Sequence, residues 1–314
     1  MLSKEICSAV SKKAAIDLER IKQLDKFLYT NMERIYITIK DAALPSEKGI
    51  VMGPLPYLSE EESIKMVQDF LKNLPTSYQE SFNNMKENNL DFEKRIGSHL
   101  LIDHENEDYI IVIDKKDNLN MAIDLVHEFF HTQNLEIENE STRLMLTEVV
   151  SMVAESIFLN HLKKEGISDY DINLARQKRR DTYKNNLYIL KEMLPLYVSQ
   201  KNKHKISKRT FKNLPKYVNR KEENIRVDLL KYIFSSATYL ENYKHALGYM
   251  LAKQYTMKNN TPYGLDKINT LLKNGNYEEF QNIVMGDYQI KNIHQVVSEE
   301  EFNYHPKQLR KNKS

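Results

Sequence analysis

The sequence predicts a mostly α protein of the α+β class, with one small β-hairpin or sheet beside a central helix. Three observations carry this. Gly and Pro number only eight each among 314 residues, too few to punctuate an all-β chain. Between those breakers the chain shows long runs of helix formers, many with apolar residues at three- and four-residue spacing. Only the stretch opening at Gly97 concentrates β-branched and aromatic residues in short runs.

Taken in order, residues 1–43 read as a helical hairpin. Ala14, Leu18, Ile21, Leu24 and Leu28 recur near a period of 3.6 and would pack on the rest of the chain. Pro45 to Pro56 is a connector. Ser59 is an N-cap followed by three acids, where the helix dipole favours them. That helix runs towards Leu74 and Pro75 ends it, with a further helix over about 77–95. Ser98 to Ile102 and Tyr109 to Ile113 are two strands joined by an acidic turn containing His104. A solvated turn explains His104 better than a metal site, because adjacent turn residues rarely converge on one ion.

The next helix carries Ile123, Val126 and Phe130 as a buried stripe and stops near Gln133-Asn134. Helices then cover Thr142 to Lys164 and Tyr170 to Met193, the latter broken by Pro195. From Lys201 to Lys221 there are nine Lys or Arg and no acid, which reads first as a solvated loop and second as a docking surface. Glu222 to Met257 is helical, followed by a turn and two short helices, Leu265 to Leu272 and Tyr277 to Val284. The basic end, His305 to Ser314, is expected to fray. We divide the chain into an N-terminal helical region, 1–95, and a chemistry-bearing region, 96–314, which are compatible with one continuous domain.

Composition bounds the function. A net charge of +2 argues against a polyanion binder, and no nucleic-acid motif is present. The single Cys7 forms no intramolecular disulfide and suits a reducing compartment. Charges stand where a signal peptide needs its apolar stretch, and no apolar run approaches the ~20 residues that span a bilayer. The expectation is a soluble protein, cytoplasmic where it is made, with leaderless delivery elsewhere still compatible. The oligomeric state is not legible.

The stretch from Asp124 to Thr132 contains His127-Glu128-Phe129-Phe130-His131. On a helix, positions i and i+4 share a face, so two imidazoles can reach one ion while the intervening Glu128 sits beside it. That is the zinc-protease arrangement, needing one more ligand and a water. The polar motif lies beside an apolar stripe, where a metal explains its presence. Two downstream acids, Glu148 and Glu155, are seven residues apart on one helix face, and only one of them can reach the ion.

His127 to His131 followed by Glu148-x-x-Ser151-x-x-x-Glu155 resembles the thimet oligopeptidase and oligoendopeptidase F family of zinc peptidases. The likeness covers Gly97 to Lys164 and, more thinly, Lys231 to Val284. It implies a helical zincin-type metallopeptidase of about half the family's usual size. One Zn²⁺ would be held by His127, His131 and Glu148, with Glu128 as general base. Glu155 is the alternative ligand, or else the acceptor for a ligand histidine's N–H. The likeness also implies an edge strand over 109–113 that pairs with substrate backbone, naming Tyr109 and Ile111, with Tyr239 also near substrate. It places an oxyanion donor just before Gly248, where Tyr243 is the first candidate and His245 the second. The partner would be an oligopeptide or a protein substrate. The rival reading is a non-catalytic binding protein that uses residues 201–221, with its H-E-x-x-H helix degenerate or purely structural.

Overall fold

The computed structural model describes residues 4–24, 29–30, 32–33, 53–95, 97–103, 105–106, 108–135, 144–203 and 236–285, and the side chains of 236–243 and of several residues in 178–193 lie outside that description. It is mostly helical with one three-stranded sheet, as the sequence predicts. The residues group into two compact units. One comprises 1–44, 141–145 and 182–247; the other comprises 45–140, 146–181 and 248–314. The boundary expected at 95/96 falls inside the second unit.

In the first unit, helix α1 (Lys4–Leu24) buries Ala14, Leu18 and Ile21 of the stripe its periodicity sets out, and Val10 besides. Leu28, the side chain of Leu24 and most of the second arm of the expected hairpin lie outside the described residues; Met32, within that arm, is fully buried.

The second unit is built around its sheet. Helix α2 (Glu60–Leu71) starts at the N-cap Ser59, whose Oγ accepts from Glu62 N while the Glu62 carboxylate accepts from Ser59 N. Helix α3 (Thr76–Asn88) is shorter than the expected 77–95, because Leu90–Glu93 forms a strand, β1. Strands β2 (His99–Asp103) and β3 (Asp108–Asp114) make the expected hairpin, turned by Asp103, whose carboxylate accepts from the amides of Glu105 and Asn106. His104 lies outside the described residues.

The strand order is β1-β3-β2, with β1 parallel and β2 antiparallel to β3. This corrects the edge-strand reading of 109–113. Leu90 to Glu93 pair with Ile111 to Asp114 on one side, and His99 to Asp103 pair with Asp108 to Val112 on the other. Strand β3 is therefore central, and at Ile111 and Val112, which pair on both sides, its backbone has no free edge to offer a peptide. Ile111 is fully buried and also unavailable. Among the described residues the antiparallel edge belongs to β2.

Helix α4 (Leu119–Thr132) packs on β3, β2 and α2. Every residue from Met121 to Thr132 is buried, so the expected apolar stripe widens to the whole circumference. The polar side chains Asp124, His127, Glu128 and His131 occupy one sector of about 100°, counting 100° per residue. Asn118 caps the helix, accepting from Asn120 N at 3.0 Å.

Helix α5 (Leu144–Lys164) follows, then α6 (Asp169–Lys201). Pro195 lies inside α6 and does not break it. Leu194, Leu196 and Tyr197 around it are fully buried. Their burial, roughly 1.5–3 kcal/mol each, offsets the ~3 kcal/mol that a helix-interior proline costs. Helix α7 (Ser236–Asn259), α8 (Pro262–Lys273) and α9 (Tyr277–Met285) complete the described chain. The basic segment 201–221 lies outside it after Lys203, so its role as loop or docking surface has no structural counterpart here.

Candidate metal centre

Helices α4 and α5 bring together His127, His131 and Glu148, whose donor atoms all lie within 4.8 Å of one another. His127 Nε2 and His131 Nε2 are 3.0 Å apart. The Glu148 carboxylate lies 3.5 Å from the first and 3.8 Å from the second. A tetrahedral ion with bonds of 2.0–2.2 Å sets its donors about 3.4 Å apart, so the three separations suit a shared metal. All three side chains are nearly inaccessible, with Glu148 only 1% exposed. Two imidazole nitrogens and a carboxylate oxygen pointed at one buried spot fit a transition-metal ion.

Glu155, one of the two acids the sequence left in play, sits differently from Glu148. Its Oε1 is 2.6 Å from His127 Nδ1, the nitrogen facing away from the three-donor cluster. An acceptor there keeps the proton on Nδ1 and leaves the Nε2 lone pair free for an ion. Gly248 of α7 passes close to Glu148. A β-carbon built on it would stand 3.0 Å from Glu148 Cβ and 3.4 Å from Met152 Sδ. No other residue type fits there without moving the acid.

Two residues that sequence reasoning passed over surround this centre. Arg179, on α6, places a terminal nitrogen on Asp124 Oδ1, and its Nε is 3.3 Å from Glu155 Oε2. Asp124 Oδ2 also receives Lys116 Nζ at 2.8 Å and Ser98 Oγ at 3.1 Å. Burial alone would lower the Arg179 pKa, but the carboxylates of Glu155, Asp124 and Glu128 raise it. Burial pushes the Asp124 carboxyl up, and Arg179 and Lys116 more than reverse this, holding it below the ordinary range. In the sequence Arg179 stands in the run Arg176 to Arg180, which marks the helix only as basic. The one available signal was Asp124, an acid three residues before the first motif histidine on an otherwise apolar helix.

The end of α4 is held by a chain of buried hydrogen bonds. Asn134 donates to Asn269 Oδ1 at 2.9 Å, Asn269 donates to the Tyr78 hydroxyl at 2.9 Å, and Tyr78 donates to Asp266 at 3.0 Å. Tyr109 is half-buried and its hydroxyl meets Thr132, the last residue of α4. Tyr239, expected near substrate, and Tyr243, the first oxyanion-donor candidate, have their backbone in α7 while their side chains lie outside the described residues. His245 is partly buried on the same helix. The helix is continuous through all three, so His245 lies about 160° around from Tyr243.

No family model matches the sequence, and no curated protein matches it. Among solved structures the chain is similar to one described as PZ peptidase A with inhibitor 2, at 16% identity and a TM-score of 0.54. The match covers 96% of this chain and 58% of that one, so the chain spans less than two thirds of its neighbour's length. At this identity the likeness is one of fold.

Proposed function

We propose that this protein is a zinc-dependent peptidase that hydrolyses peptide bonds in oligopeptides or a protein substrate. The convergence of His127 Nε2, His131 Nε2 and the Glu148 carboxylate carries the reading. The peptidase-like fold supports it. Zinc suits the donor set better than magnesium or calcium, which prefer oxygen alone. Such an ion supplies Lewis-acid polarisation of a carbonyl and brings the pKa of a water to about 7.

The chain's own residues supply the rest. Glu155 fixes the tautomer of His127 through Nδ1. Glu128 stands within the same polar sector of α4 and is 8% exposed, so its carboxylate works in a nearly dry setting. It takes the proton of the attacking water and passes it to the leaving amine. The outer edge of β2, unpaired among the described residues, antiparallel to β3 and packed against α4, is the surface on which an extended peptide adds a strand. For the donor to the developing oxyanion the candidates are those read from the sequence, Tyr243 first and His245 second.

The test is direct. The purified protein should contain close to one zinc per chain, cleave peptides from a denatured proteome digest, and lose that cleavage to a chelator. A protein free of zinc after metal-replete purification, or cleavage untouched by chelation, would overturn the reading.

A further inference from the structure

We propose that Arg179 is a positioning residue for the metal centre: it holds Glu155, and through Glu155 the ring of His127, while anchoring the ligand-bearing helix at Asp124. This rests on the metal reading above and extends it to a residue outside the motif.

The argument is one of divided oxygens. Glu155 gives Oε1 to His127 Nδ1 at 2.6 Å and turns Oε2 to Arg179 Nε at 3.3 Å, an ion pair without hydrogen-bond alignment. Asp124 gives Oδ1 to a terminal nitrogen of Arg179 and Oδ2 to Lys116 and Ser98. One guanidinium thus spans two carboxylates on two helices, α4 and α5, which between them carry all three donors. Asp124 lies three residues before His127, almost one turn away on the same side of α4. A planar fork with several donors can serve both acids at once, whereas a lysine offers a single compact charge. Without it, Glu155 would be free to rotate off His127, and two nearly buried carboxylates would lose a shared counter-charge. Arg179 also lines a small cavity of about 20 Å³ with Arg176, Ser156, Tyr249 and Lys253, and its side chain is 28% exposed, so solvent reaches it.

The test measures zinc dissociation constants by chelator competition, and the visible absorption of the cobalt-substituted protein, for wild type, Arg179→Ala, Arg179→Lys, Glu155→Gln and the Arg179→Ala/Glu155→Gln pair. Arg179→Ala should weaken zinc about 10- to 100-fold, as losses behind a ligand histidine do, and shift the cobalt spectrum at saturation. Arg179→Lys should recover only part of this. Methylguanidinium, entering beside the truncated side chain, should strengthen zinc binding by Arg179→Ala and leave wild type unchanged. On the Glu155→Gln background, removing Arg179 should cost clearly less affinity than in wild type, because only the Asp124 contact then remains to be lost. A full Arg179→Ala effect in that background, or wild-type affinity in both Arg179 variants, overturns the assignment. If Arg179→Ala does not fold, Arg179→Lys and its pair with Glu155→Gln carry the same cycle. A wild type that binds no zinc sinks the metal reading itself; zinc binding indifferent to residue 179 sinks only this inference.

Discussion

At Glu128 chemistry and metal binding are separable, because that side chain is not among the three converging donors. Glu128→Gln should therefore retain zinc and lower turnover by at least about 10²-fold; native turnover would remove the base from the proposal. The two downstream acids differ in the same experiment. Glu148→Ala should strip most of the zinc, and Glu155→Ala should weaken it by about 10- to 100-fold, since Glu155 meets the far nitrogen of His127. A metal titration with the opposite ranking would exchange their roles. Gly248 gives a third case. Gly248→Ala puts a methyl 3.0 Å from Glu148 Cβ, so zinc affinity should fall by more than melting temperature would suggest. Glu128, Glu148 and Glu155 were legible as chemistry in the sequence, because motif spacing reports on a metal site, whereas the approach of Gly248 to Glu148 is visible only in the fold. Arg179 was not legible, because a basic run on a helix has the same letters whether it is solvated or gripping buried acids.

Elements were legible where local chemistry decides them. The capping box at Ser59 and Glu62 needs only four residues, and the structure forms it as the letters imply. Strand β1 was missed because Leu90-Asp91-Phe92-Glu93 is too short to show its period and becomes a strand only by pairing with Ile111 to Asp114. That pairing is also what moved β3 from edge to centre. Pro195 was misread for a related reason: the local cost of proline is fixed, while the burial of Leu194, Leu196 and Tyr197 that outweighs it is tertiary. Pro195→Ala should then raise stability, by up to about 3 kcal/mol, read as a higher denaturant midpoint at constant slope. A lower midpoint would mean that the packing requires the proline's bend. On α7, helix geometry keeps Tyr243 and His245 on nearly opposite sides, so only one of Tyr243→Phe and His245→Gln should reduce turnover about 10²- to 10³-fold at constant zinc content. Equal losses in both would show that the helix opens there during catalysis.

For the whole molecule, acid stability is a second readout of the buried ion pairs. The folded Asp124 carboxyl lies below its ordinary value of about 3.9. The stability it contributes is thus fully present above that value and is lost as pH falls through the lower folded one. Asp124→Asn should melt below wild type at pH 6, and the gap should narrow on acidification below about pH 4. A gap independent of pH would mean that Asp124 acts only by packing. Residues 201–221 supply a test at the same scale. If their charge docks an acidic protein substrate, neutralising Lys205, Lys208, Arg209 and Lys212 should slow that cleavage in a salt-dependent way and spare a short neutral peptide.

The sequence by itself determined that the chain is helical, that one helix carries two histidines and a glutamate at ligand spacing, and that a second helix brings two acids. Each of these follows from spacing along the chain, and spacing is local. Only the tertiary structure decided which acid meets the donors and which turns to the back of His127, that β3 is covered on both sides, and that Arg179 is drawn in between Asp124 and Glu155. Those outcomes depend on how helices and strands distant in sequence come to lie against one another. A sequence records that arrangement only through the burial it makes possible.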